Sequence, residues 1–125
     1  MEELKLAGSF NFPSIDFNPD TGALKIIGRS IPENPVKFYL PIENWIREYI
    51  QLKPKDITLF IHLDYLNTHS TECILILMKK LQEYYQESGA NVKVIWNFED
   101  DDEDMKLLGE DLASLVKLPF AFFWI

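Results

Sequence analysis

Cysteine is nearly absent. Cys73 stands alone among 125 residues, which excludes an internal disulfide framework and any zinc site built from cysteines. Long apolar runs are also missing, and none approaches the roughly 20 residues that a membrane-spanning helix needs. The start, Met1-Glu2-Glu3-Leu4-Lys5, has neither the basic opening nor the apolar core of a secretory signal, so a cytoplasmic protein is expected. Glycine is sparse, at five residues, and no Gly/Ser linker, repeat or low-complexity tract divides the chain. Residues 1–125 are therefore read as a single domain.

Positive charge is scarce as well. Twelve lysines and arginines face twenty acids, a net charge of −8. Six of those acids, Glu99 to Asp104, form one unbroken run, and setting it aside leaves 14 acids against 12 bases. The excess is thus local. With no basic cluster to meet phosphates, neither a nucleic acid nor an anionic membrane surface is an expected partner.

What the chain has in quantity is apolar residues, 47% of the total, arranged with clear periods. Ser14-Ile15-Asp16-Phe17 and Ala23-Leu24-Lys25-Ile26-Ile27 flank the turn Asn18-Pro19-Asp20-Thr21-Gly22 and predict a hairpin, with a further strand near Leu4-Lys5-Leu6. Gly28 to Pro35 reads as loop. Pro41 is placed in the first turn of a helix striped by Ile42, Trp45, Ile46, Tyr49 and Ile50. The run Ile57–Tyr65 predicts a central strand, with Ile57, Leu59, Ile61, Leu63 and Tyr65 on one face. A second helix carries Ile74, Leu77, Met78, Leu81 and Tyr84 and stops at Gly89. Val92–Phe98 predicts another strand. The acidic run opens a third helix striped by Met105, Leu108, Leu112, Leu115 and Val116 and ended by Pro119, and Phe120–Ile125 is the last strand. This order, βββ–α–β–α–β–α–β, implies an α/β domain with parallel pairing through right-handed crossovers.

The most informative segment is Tyr65-Leu66-Asn67-Thr68-His69-Ser70-Thr71-Glu72, where a buried strand hands over to a helix. Sites in open α/β sheets are built at that carboxyl edge. Asn67, Thr68, Ser70 and Thr71 are all residues that cap a helix start. One reading stops at capping. The other is a modification switch, because the unpaired N–H groups of a helix start can hold a phosphate carried by a neighbouring hydroxyl.

The same segment belongs to a wider set of landmarks: Gly28-Arg29-Ser30-Ile31-Pro32-Glu33-Asn34, Trp45 with Tyr49, Trp96-Asn97-Phe98, Asp104-Met105 with Gly109-Glu110-Asp111, and Pro119-Phe120. In order and spacing the chain resembles the SiaC family of bacterial regulatory phosphoproteins over most of its length. That resemblance implies a STAS-like fold, akin to the anti-sigma factor antagonists, and a non-enzymatic protein without a cofactor. It implies that Thr68 is phosphorylated by a dedicated kinase and cleared by a PP2C-like phosphatase. The unphosphorylated form would bind and activate a diguanylate cyclase, raising cyclic di-GMP and favouring biofilm. Asn67 and Ser70 would hold the helix start and the phosphate, His69 and Glu72 would flank the contact surface, and the loop with Ser30 and Glu33 would join it. Relatives read Asn-Thr-Ser-Ser where His69 follows Thr68 here, a change next to the site of kinase recognition.

Other chemistry fits less well. Asp100, Asp102 and Asp104 echo the start of a calcium loop, but Met105 occupies the position that needs glycine and Asp111 the one that needs a bidentate glutamate. No metal is therefore assigned, and the run reads as acids complementing a helix dipole or as a docking patch for a basic partner. His62 and Asp64 share a strand face, yet no nucleophile with an orienting group stands beside them. His62 is expected to be a half-buried sheet residue with a local hydrogen bond, His69 to be exposed, and Cys73 to lie in the core. Two competing functions remain open: a small-molecule sensor with its ligand near Asp64 and Asn67, and a hydrolase or transferase.

Overall fold

The computed structural model describes residues 1–125. Alternation of apolar and polar residues builds six strands, and the 3.6-residue stripes build three helices. In chain order they are β1 (Leu4–Leu6), β2 (Ser14–Asn18), β3 (Ala23–Ser30), α1 (Pro35–Gln51), β4 (Asp56–Leu66), α2 (Thr68–Ser88), β5 (Asn91–Phe98), α3 (Glu103–Leu115) and β6 (Phe120–Trp124). All six strands form one mixed sheet in the order β1-β2-β3-β4-β5-β6. The first two pairings are antiparallel and the remaining three parallel.

The β2–β3 turn closes as its residues dictate. Asn18 Oδ1 accepts from the Asp20 N–H at 2.9 Å, and Gly22 takes a φ of +76°. A Cβ on Gly22 would collide with the Asp56 carbonyl, so only glycine lets this turn lie against the start of β4.

Each parallel step moves one strand further in the same direction. Right-handed crossovers then set α1, α2 and α3 on one face of the sheet. Burial follows suit. Ile57, Leu59, Ile61 and Leu63 on β4, with Val92, Val94, Trp96 and Phe98 on β5, face the helices and are buried. Thr58, Phe60, His62 and Asp64 alternate with them on the other, uncovered face and are half-buried or exposed. Tyr65, expected on the buried face, is 57% exposed. The cause is a bulge: Gly28 pairs with Leu63 and Arg29 with Tyr65, so Asp64 has no partner and the alternation breaks there.

Three boundaries differ from the sequence reading by more than one residue. Helix α1 starts at Pro35, capped by the Asn34 side chain, which accepts from the Lys37 N–H at 3.1 Å. Pro41 therefore lies inside the helix. Lys37 and Pro41 are both exposed, so the Lys37 carbonyl that loses its intrahelical donor is solvated, and the interruption is tolerated. Strand β3 runs on to Ser30 where loop was expected, because Gly28, at φ +124°, lets the strand continue past the bulge. Helix α3 stops at Leu115, before Pro119, and Val116 takes an extended conformation. Leu115 is 53% exposed and does not belong to the buried stripe.

Helix α3 is held by one close approach. Trp96 is fully buried, and its Nε1 donates to the Met105 carbonyl at 3.0 Å. Gly109 lies directly over that indole, where a Cβ would overlap the ring. Substitution Gly109→Val is expected to lower the unfolding free energy by about 3 kcal/mol, since the tethered ring cannot retreat; urea denaturation measures it, and an unchanged midpoint would contradict this packing.

Candidate functional site: the β4–α2 corner

Helix α2 begins at the carboxyl end of central strand β4, and Asn67 makes the corner. Its Oδ1 accepts from the Ser70 N–H at 2.9 Å, a standard N-cap. Its Nδ2 donates to the Pro32 carbonyl at 3.3 Å, and its own N–H donates to the Ser30 carbonyl at 3.0 Å. The Asn67 carbonyl accepts from both the N–H and the hydroxyl of Thr71, at 3.0 and 3.1 Å. One residue thus ties α2 to the end of β3 and to the loop before α1.

Beneath it lies a sealed chain of hydroxyls. Ser30 and Ser70 have no solvent exposure. The Ser30 hydroxyl donates to Ser70 Oγ at 2.9 Å, and the Tyr39 hydroxyl lies 2.7 Å from Ser30 Oγ. Burial pushes the Tyr39 phenol far above its ordinary range, against the opposing pull of the Ser30 hydrogen bond, so it stays a neutral donor. This corrects the expectation for Ser30 and Ser70. Both side chains point inward, where neither reaches a phosphate or a partner, and they fix the corner from below. Only the backbone N–H of Ser70 takes part in the helix start.

Thr68 and His69, by contrast, are exposed at the first two positions of α2, and Glu72 is exposed one turn on. The first turn of a helix has N–H groups without intrahelical acceptors. Asn67 satisfies that of Ser70 with its side chain and that of Thr71 with its carbonyl, leaving those of Thr68 and His69 without a protein acceptor. The first eleven residues of α2, Thr68–Met78, include no lysine or arginine. Glu33, across the corner in the loop before α1, is exposed as well. Beside that loop runs a hollow of about 680 Å³, lined by Leu6, Phe12, Pro32, Glu33, Phe38 and Pro41 among others.

The competing sites find less support. A hollow of about 970 Å³ lies around Lys53, Pro54 and Gly89, where β5 begins, and neither it nor the hollows beside Pro32 and beside Phe98 are lined by Asp64 or Asn67. Cys73 is buried, and burial pushes its thiol up, reinforced by the charges of Glu72 and Glu43, which makes it a poor nucleophile. His62 is half-buried as expected, but the local hydrogen bond is absent: its Nε2 has no partner. Asp102 caps α3, accepting from the Met105 N–H at 3.0 Å, with Glu103 and Asp104 in the first turn, so the acidic run does complement a helix start.

Such a corner, on a sheet with one covered face, is that of a small α/β regulatory domain. The model of the family described as "SiaC family regulatory phosphoprotein" matches residues 6–125, and the chain belongs to that family. Among solved structures it is similar to SiaC of Pseudomonas aeruginosa, with a TM-score of 0.91 and 25% identity over the full length of both chains. It is similar too to the SiaC chain in the crystal structure of diguanylate cyclase SiaD in complex with its activator SiaC, also from Pseudomonas aeruginosa. There the TM-score is 0.92 at 25% identity, covering 98% of this chain and 99% of the other. A protein of Pseudomonas aeruginosa (strain UCBPP-PA14) described as uncharacterized is 26% identical over 121 residues, 97% of this chain and 95% of its own length.

The Asn67 network makes a testable demand on stability. Asn67→Ala removes the cap and the tie to Pro32 together, and an unfolding free energy lower by about 1–2 kcal/mol is expected. Asn67→Asp keeps the cap acceptor and adds a favourable charge at the helix start, but sets an oxygen against the Pro32 carbonyl, so chemical denaturation is expected to place it between wild type and alanine.

Proposed function

We propose that this chain is a non-enzymatic signalling protein of the cytoplasm, switched by phosphorylation of Thr68, whose unphosphorylated form binds and activates a diguanylate cyclase. The supporting observation is the exposed Thr68 hydroxyl at the first position of α2, in a chain of a regulatory phosphoprotein family. A protein kinase reaches it without unfolding the corner, and a PP2C-like phosphatase reaches it equally. The effector is inferred from a relative, the SiaC that activates SiaD.

The switch rests on electrostatics. A neutral threonine at a helix start can be enclosed in a protein contact with its hydrogen bonds met. Phosphorylation adds about −1.5 to −2 charges at that point. The unpaired N–H groups of Thr68 and His69 and the positive end of the α2 dipole hold the phosphate in place. They do not fully neutralise it, because the first three turns of α2 carry no lysine or arginine and Glu72, one turn away, repels it. A partner shaped for the hydroxyl must then desolvate an unpaired dianion, which is strongly unfavourable. In this reading Thr68, His69, Glu72 and Glu33 form the contact surface, and Asn67 holds its geometry.

Binding of the purified chain to the diguanylate cyclase of its own genome tests the proposal. Thr68→Ala is expected to bind like wild type and to accept no phosphate from the kinase. Thr68→Glu is expected to weaken binding by tenfold or more, about 1.4 kcal/mol. The kinase-treated protein, its phosphate mapped to Thr68 by mass spectrometry, provides the true dianion. Equal affinity of phosphorylated and unphosphorylated forms would overturn the switch.

A further inference from the structure

The uncovered face of the sheet holds a second polar cluster, unrelated to Thr68. His62 and Asp64 lie two residues apart on that face of β4, and Glu99 follows the last residue of β5. Their ligand atoms, the imidazole nitrogen and one oxygen of each carboxylate, all lie within 4.8 Å of one another. The β4 bulge falls here, with Asp64 as its unpaired residue, and bulges commonly re-aim a side chain beside a site.

Three observations distinguish this cluster from ordinary surface acids. First, His62 Nε2 is closed off from solvent with no hydrogen-bond partner. The nearest carboxylate oxygen, Glu99 Oε1, is 3.6 Å away, too far for a hydrogen bond. Second, Asn97 pairs with His62 across the strands on the same face. It is only 7% exposed, and its Nδ2 also lacks a partner. Third, no lysine or arginine forms an ion pair with Asp64 or Glu99. Arg29, whose β3 position pairs with Tyr65 just past the bulge, lies over the Phe10 ring at 4.3 Å and the Tyr65 ring at 5.8 Å. Two carboxylates and an orphaned imidazole nitrogen therefore converge with no lysine or arginine paired to them, and an orphaned amide donor stands on the adjacent strand.

We propose that His62, Asp64 and Glu99 bind one divalent transition-metal ion of the zinc class. The imidazole donor selects against calcium and magnesium, which take oxygen ligands. Tetrahedral zinc with nitrogen and oxygen ligands spaces its donors about 3.4 Å apart. The 3.6 Å between His62 Nε2 and Glu99 Oε1 already approximates one edge of that tetrahedron, and a side-chain rotation of Asp64 completes the face. Asn97 Nδ2, an unpartnered donor on the strand position beside His62, is a group that a carboxylate re-aimed by metal binding can take up, the usual duty of a neighbour to a metal ligand. Three protein donors leave one position for water or for a ligand brought by another molecule.

The chain has only two histidines, His62 and His69, so the test carries an internal control. Titration of the full chain, stripped with chelator, with zinc chloride is followed by NMR of the imidazole nitrogens and by calorimetry. One equivalent is expected to bind, shifting the His62 signals and leaving those of exposed His69 in place. His62→Gln, Asp64→Asn and Glu99→Gln are each expected to weaken binding by about tenfold or more. The double variant Asp101→Asn/Asp104→Asn, outside the cluster but within the acidic run, is expected to bind as wild type does. Absence of saturable binding, a response at His69 in place of His62, or loss of binding in Asp101→Asn/Asp104→Asn with the three ligand variants binding as wild type would each overturn the proposal.

Discussion

Handedness governs this molecule. Four parallel strands follow one another in the sheet in chain order, and each crossover must be right-handed. Moving always in one direction, the chain has no choice but to drop every helix onto the same side. The core then forms as a single layer between sheet and helices, and the opposite face of the sheet goes uncovered. Both proposed surfaces descend from that asymmetry. Thr68 stands at the rim where β4 turns up into the helical layer, and His62, Asp64 and Glu99 stand on the bare side, near the same end of the strands.

At the rim, stability and exposure are divided between adjacent residues. Asn67, Ser70, Ser30 and Tyr39 use their polar groups on each other and on backbone, three of them wholly or almost wholly buried. Such a network is worth having only when its members are satisfied, and here the chain of hydroxyls ends on a phenol that burial keeps neutral. Because these groups hold the corner rigid, the neighbouring Thr68 and His69 need hold nothing. A side chain free of structural duty can change its charge without unfolding its surroundings.

Much of this was legible in the residues. The element order followed from periodicity, since strands of period two and helices of period 3.6 are hard to confuse over lengths such as Ile57–Tyr65 or Ile74–Tyr84. The corner at Asn67 was visible as capping chemistry at a strand end, and the exposure of Thr68 and His69 accords with it. What failed were local signals with two meanings. Pro41 looked like a first-turn proline because prolines favour that position, while Pro35, behind the Asn34 cap, held it in fact. Gly28 looked like a loop and instead carries β3 onward past the bulge in β4. Ser30 and Ser70 looked like surface hydroxyls, because a sequence cannot show that two serines forty residues apart meet inside. His62 and Asp64 were seen to share a face, but Glu99 reaches them only through the β4–β5 pairing, a contact across 37 residues that no local pattern encodes.

The strictly sequential sheet also bears on how the chain comes into being. Every strand pairs with the strand just made before it, so none must wait on a segment not yet synthesised. The hairpin of β2 and β3 can close on the ribosome, β4 can dock as soon as α1 has emerged, and each later βα unit adds to an edge that already exists. Order of translation and order of assembly coincide, which keeps nascent edges unpaired for the shortest time and sets a small regulator's folding speed by helix-sized loop closures.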